Sequence, residues 1–293
     1  MSHFSTDWLA LREPLDAASR ATSLSATVVE ALRQAHPHSL RMQVVDLGAG
    51  TGANLRCVAP RLGGSQDWLL VDLDPLMLAA VNGRMRAWAR SSAMKVIEND
   101  QQLTIRGTQF ECGVRGVCLD LATQLDRLAL PNGALLCASA LLDLVSAHWL
   151  RTLAQHAVRV EAIVWFALTY DGRIHCYPAE PEDWEVRELF NTHQLTDKGF
   201  GPALGPTAEP LVEQIFAERG YRIECAPSDW RIGPTQRTLQ HALLDGWFHA
   251  ACEIAPERTS HLGHWRARRQ AHIDSGRSEL IVGHVDMIGC PHG

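Results

Sequence analysis

Lysine is nearly missing from this chain: of 293 residues only Lys95 and Lys198 carry an ε-ammonium. With 27 Lys and Arg against 33 Asp and Glu, the formal net charge is −6. Binding a phosphate backbone requires clustered cations, and no such stripe is present, so the balance argues against a nucleic-acid partner. No stretch of about 18 apolar residues occurs, so no membrane-spanning helix is expected. The first residues, MSHFSTDWLALREPLD, lack a basic segment followed by an apolar one and do not read as a secretory signal. The eight cysteines form no Cys-x-x-Cys pair. Several sit in apolar surroundings, as Cys137 does between Leu136 and Ala138, and read as reduced packing residues of a cytoplasmic protein. Cys290 and His292 supply only two metal donors, so no metal site is expected.

What remains is ordinary globular composition, 46% hydrophobic and 20% charged. The length suits one enlarged α/β domain or a core domain with a small second lobe, and a monomer or homodimer is expected. Residues 15–35 read as one or two helices stopped by Pro37. Beyond them, β-rich runs at 43–47, 67–72, 114–120, 134–139 and 161–168 alternate with helical patterns. Asp74-Pro75 has the residues of a helix start. Residues 94–110 read as extra strands or a hairpin. Residues 171–206, rich in Pro and Gly, read as an insertion holding a hairpin and a mobile substrate loop. Helices are expected at 207–220, 236–255 and on to 275, and strands at 221–225 and 279–288. The alternation predicts an α/β fold: a doubly wound, mostly parallel seven-stranded sheet with helices on both faces and the last strand antiparallel.

The chemistry concentrates in Val44-Val45-Asp46-Leu47-Gly48-Ala49-Gly50-Thr51-Gly52, where a strand passes into a helix. Glycines let the backbone turn tightly and approach a ligand. The helix N-terminus that follows favours a carboxylate or phosphate. Asp72 ends the second strand about 20 residues on, where nucleoside-binding folds hold ribose hydroxyls. Asp120 ends the third strand. The spacing is G-x-G-x-G, not the G-x-G-x-x-G of dinucleotide binders, which makes a nicotinamide-dependent oxidoreductase the weaker alternative.

VVDLGAGTG followed by LLVDLDPLML resembles the class I S-adenosylmethionine methyltransferases, over about residues 40 to 170. The resemblance implies that Asp46 helps position the methionine end of S-adenosylmethionine, that Gly48, Ala49, Gly50 and Gly52 lie against it, and that Asp72 with Leu73 holds the ribose. It also implies that Asp120 with Leu121 meets the adenine, and that Ser139 to Asp143 border the transfer site. The implied activity is methyl transfer to a small-molecule oxygen or nitrogen; a non-catalytic module that holds the cofactor is the second reading.

For the substrate, Asn191 to Pro202 pairs polar groups with glycines, as a binding loop does. Within it His193 is the candidate base, since imidazole titrates near neutrality. Gln194 and Lys198 are candidate substrate contacts, with Lys198 suited to a carboxylate or phosphate. The resemblance also implies that residues 1–40 form an N-terminal helical lid over the cofactor, which offers Arg12 or Arg20 for the methionine carboxylate or an acidic substrate.

Overall fold

The computed structural model describes residues 6–35, 41–99 and 102–292. Local rules set many of its boundaries. The Asp74 carboxylate accepts the Leu76 N–H at 2.8 Å and Pro75 fills the first turn, so a helix starts there. Ser146 does the same for Trp149.

Helices α1 (Thr6–Ser19) and α2 (Ser23–Ala35) precede the sheet; the expected stop at Pro37 lies outside the described residues. The chain continues as β1 (Met42–Leu47), α3 (Ala53–Leu62), β2 (Gly64–Asp72), α4 (Pro75–Ser91), β3 (Lys95–Asn99), β4 (Gln102–Arg106) and β5 (Phe110–Cys118). There follow α5 (Leu121–Gln124), β6 (Leu135–Ser139), α6 (Ala147–Arg159), β7 (Ile163–Tyr177), α7 (Asp183–Gln194) and α8 (Ala208–Ala217). The final elements are β8 (Tyr221–Pro227), β9 (Trp230–Ile232), α9 (Arg237–Ile254), α10 (Thr259–Asp274) and β10 (Glu279–Pro291).

One ten-stranded sheet runs in the order β3-β4-β5-β2-β1-β6-β7-β10-β8, with β9 on β10. Strands β5, β2, β1, β6 and β7 are parallel neighbours; β10 is antiparallel to both β7 and β8. The expected doubly wound sheet with its antiparallel last strand is therefore present, with ten strands instead of seven. The β3–β4 hairpin accounts for two of the extra strands. The third, β9, has three residues and is too short to leave a periodic signal.

The order of strands reverses at β1, which continues to β2 on one side and is flanked by β6 on the other. Open α/β sheets bind ligands at such a reversal, beyond the strands' C-terminal ends. Helices α2, α3 and α4 bury one face of the sheet, through residues such as Val28, Val58 and Met85. Helices α6 and α8 bury the other, through Leu150, Leu153, Ile215 and Phe216.

A third core forms on an extension of the sheet. Strand β7 pairs with β6 only through Ala167, then continues beyond the parallel strands' C-terminal edge, paired with the start of β10. Upon this extension pack Leu15 of α1, Val186 of α7, Trp247 of α9 and Trp265 of α10. The result is a helical cap on the ligand side of the sheet.

The expected insertion at 171–206 is one part of that cap, and it is more regular than a mobile loop. Residues 173–177 continue the strand, with Ile174 and Cys176 buried and their neighbours outward. Residues 183–194 form a helix whose buried Val186 recurs with Leu189 and Phe190 at helical spacing. Pro and Gly density in the segment obscured both periodicities. Among the described residues no helix is long and apolar enough to cross a membrane.

Candidate functional site

A cavity of about 350 Å³ opens where β1 and β6 part, within the range of small-molecule sites. Its floor is the β1–α3 bend. Gly48, Gly50 and Gly52 have φ of 62°, 53° and 79°, a left-handed backbone that costs an L-residue with a side chain about 1–2 kcal/mol. Space adds to the requirement: a Cβ at Gly50 would stand 3.3 Å from Leu9 of α1. Helix α1 thus lies directly over the glycine bend, and Leu9, Arg12, Glu13 and Asp16 form a wall of the cavity. It is fastened there by a two-pronged ion pair, Glu13 accepting from Arg56 at 2.7 and 2.8 Å, and by Arg61 donating to the Ala17 carbonyl.

Asp72 joins the second strand to the bend. One oxygen accepts the Gly50 N–H at 2.7 Å and the other the Asp74 N–H at 2.9 Å. A carboxylate offers about four acceptor positions, so each oxygen keeps one for a ligand hydroxyl. Asp120 lines the cavity and also caps α5, accepting from Ala122 N–H at 2.9 Å and the Thr123 hydroxyl at 2.8 Å. Leu73, Met77, Leu119 and Leu121 give this end apolar walls.

The opposite end is charged and deeply buried. Asp46 is 1% exposed; its Oδ1 accepts from Asn54 at 2.7 Å, while Oδ2 has no hydrogen-bond partner among the described residues. Burial pushes this carboxyl up to about 7, opposed by the Asn54 hydrogen bond and the Arg20 charge. The Arg20 side chain, 2% exposed, also lines the cavity. Its Nε donates to Asp286 at 3.1 Å, its Nη1 donates to Asn54 at 2.8 Å, and its guanidinium lies 5.5 Å from the Trp165 ring centre. An unpartnered carboxylate oxygen and a guanidinium therefore stand together at the floor.

The remaining expected residues divide. Ala49, Ser139, Lys198 and Arg12 line the cavity along with the three acidic strand-tip residues Asp46, Asp72 and Asp120. Arg12 is paired with Asp16 at 2.8 Å and lies 5.7 Å from the Trp230 ring centre. Asp143 is buried but, like the expected cofactor contact Gly52, is not on the cavity wall; burial lifts the Asp143 carboxyl to about 6. His193 and Gln194 are also off the wall. They end α7, and the His193 ring meets Glu253 at 3.1 Å and the Lys198 ammonium at 3.3 Å. From the expected substrate loop, the structure brings Lys198, Gly199 and Phe200 to the cavity.

Two contributors escaped the sequence. Asn54 follows the glycine bend by two residues and reads there as an ordinary first-turn polar residue. Asp286 sits in the last strand, and a fully buried carboxylate inside the apolar run Leu280–Ile288 was the available signal.

No family model matches the sequence, and no curated protein does. Among solved structures, the chain is similar to a cyclopropane-fatty-acyl-phospholipid synthase-like protein from Lactobacillus casei, at 13% identity over 94% of this chain and 98% of that one, with a TM-score of 0.48. It is similar to a SAM-dependent methyltransferase from Geobacter sulfurreducens in complex with S-adenosyl-L-homocysteine, at 14% identity over 100% of each chain and a TM-score of 0.44. A SAM-dependent methyltransferase from Thiobacillus denitrificans, also in complex with S-adenosyl-L-homocysteine, is 14% identical over 98% of this chain and 99% of that one, with a TM-score of 0.45. At such distances the function has to be argued from the site's own residues.

Proposed function

We propose that this chain binds S-adenosylmethionine at the β1–β6 parting and transfers its methyl group to a small molecule admitted beneath the helical cap. The carrying observation is the pair of opposite charges at the cavity floor. The bare Asp46 oxygen suits an ammonium, and the Arg20 guanidinium suits a carboxylate. Together they match an α-amino acid. At the far end, Asp72 has acceptor positions for ribose hydroxyls, beside apolar walls for a purine and the Asp120 carboxylate for its amine. A ligand joining an amino acid to a nucleoside satisfies both ends.

The same residues disfavour a nicotinamide dinucleotide. Asp46, Asp72, Asp74 and Asp120 all face the cavity, and four carboxylates repel a pyrophosphate.

When bound, S-adenosylmethionine supplies a methyl carbon open to in-line displacement by a nucleophile. The chain's part is alignment and exclusion of water. Leu9 and Leu144 form apolar walls, with Phe200 nearby on the cap side. Among the described residues no histidine lines the cavity. A neutral amine or an anion already formed in solution is an acceptor that needs no base from the chain. The enclosed site and acidic balance support a small molecule over a nucleic acid.

Calorimetry with S-adenosylmethionine, S-adenosylhomocysteine and NAD tests the binding claim. Heat with the first two and none with NAD is expected; silence from both sulfur compounds overturns it. A methyl-transfer screen over small amines, carboxylates and phenolates tests turnover. Tight binding with no acceptor methylated would favour the non-catalytic reading.

A further inference from the structure

We propose that Asp286, acting through Arg20, makes this cavity select ligands bearing an α-carboxylate, and so discriminates against truncated or decarboxylated thionucleosides. The inference rests on the proposed binding mode and assigns a positioning role to a residue on the last strand.

Asp286 is fully buried. Its Oδ2 accepts from Arg20 Nε at 3.1 Å and from the Ala21 backbone N–H at 3.1 Å, and its Oδ1 accepts the Leu168 N–H at 2.9 Å. Three donors, two from the turn that joins α1 to α2 and one from β7, thus fix the carboxylate in place. They also bind the turn between α1 and α2 to the sheet.

A guanidinium buried without a counter-charge is costly, and a flexible one would fold back on the nearest acid. The Arg20 charge acts on two acids of the cavity wall, Asp16 and Asp46. Here Asp286 holds Nε and Asn54 holds Nη1, so Arg20 spends those two edges on protein partners. No hydrogen bond from Nη2 occurs among the described residues. Because Asn54 in turn donates to Asp46 Oδ1, the chain Asp286–Arg20–Asn54–Asp46 holds cation and anion apart. The guanidinium therefore presents a donor to the cavity instead of cancelling Asp46.

Selectivity follows from what is left uncompensated. A ligand lacking the carboxylate leaves the Arg20 donor desolvated and unpaired, whereas one that carries it makes a charge-assisted bond. That difference corresponds to about 10- to 100-fold in affinity.

The test compares S-adenosylhomocysteine with 5′-deoxy-5′-methylthioadenosine by calorimetry on the wild-type chain, Asp286→Asn and Arg20→Gln. The wild type should prefer S-adenosylhomocysteine by more than about 10-fold. Both variants should lose most of that preference while holding methylthioadenosine within about threefold of wild type, which a merely structural defect would not do. Equal weakening of both ligands, or a preference unchanged in the variants, overturns the proposal. Should Asp286→Asn fail to fold, Arg20→Lys decides: it keeps the charge but loses the fork to Asp286 and Asn54, and must also lose preference. A wild-type chain that binds neither ligand overturns the binding mode itself, an outcome distinct from binding both without preference.

Discussion

At the scale of single residues, the site holds charge where folding alone would not. Asp46 illustrates the sign. Its folded carboxyl stands at about 7 against an ordinary 3.8, raised by burial. Between those values the folded chain keeps a proton that the unfolded chain has released, so stability falls as pH rises through the window and the deficit is complete above 7. Asp46→Asn removes that titration. Urea unfolding should find the variant more stable than wild type by about 1–3 kcal/mol at pH 8 and level with it near pH 4, while S-adenosylhomocysteine affinity drops. Greater stability at pH 4 than at pH 8, relative to wild type, would contradict the assignment. His284 behaves oppositely. Burial beside Tyr170 and Trp230 holds its imidazole down at about 3, against an ordinary 6.5. On acidification the unfolded chain takes the proton first, so this contribution is complete above about 6.5 and is lost as pH falls toward 3. His284→Gln should therefore lose less stability than wild type between pH 7 and pH 4.5, measured by the same unfolding curves.

At the scale of elements, α1 is the part whose role geometry states most directly. It lies against the glycine bend and is held by the Glu13–Arg56 fork. Glu13→Gln loosens that fork and should raise the dissociation rate of S-adenosylhomocysteine about 3- to 10-fold in stopped-flow displacement. An unchanged rate would mean that α1 does not gate the site. The helical character of the segment before the sheet was legible because Val28, Val29, Ala31 and Leu32 form a local apolar face. The glycine bend, Asp72 and the alternating strands were legible for the same reason: each is written within a span of thirty residues. What escaped was long-range. Arg20 and Asp286 are 266 positions apart, and nothing local in either segment announces the other. The cap escaped for a different reason. Its strand and helix lie in a stretch whose Pro and Gly content suggests a loop, and only the partner strand β10 turns residues 173–177 into sheet. His193 shows the limit of residue type as a guide: a histidine in a polar, glycine-flanked segment has the composition of a base, yet its ring faces Glu253.

For the whole molecule, the ligand would touch parts far apart in the chain: the α1 helix, four strand tips and the 198–200 segment of the cap. Occupancy should therefore stabilise cap and sheet together. At about 100 times its dissociation constant, S-adenosylhomocysteine contributes about 2.7 kcal/mol, or roughly 5–10 °C in melting temperature. Hydrogen exchange should slow in residues 6–19 and 196–201 as well as at the glycine bend. Slowing confined to the bend would show that the cap stands apart from the site. The continuation of β7 and β10 past the sheet edge has a broader consequence. It gives the roof its own foundation, the third apolar core, which contains none of the strand-tip carboxylates. Substitutions within that core can thus be absorbed by the cap while the strand-tip carboxylates, built on other strands, stay as they are.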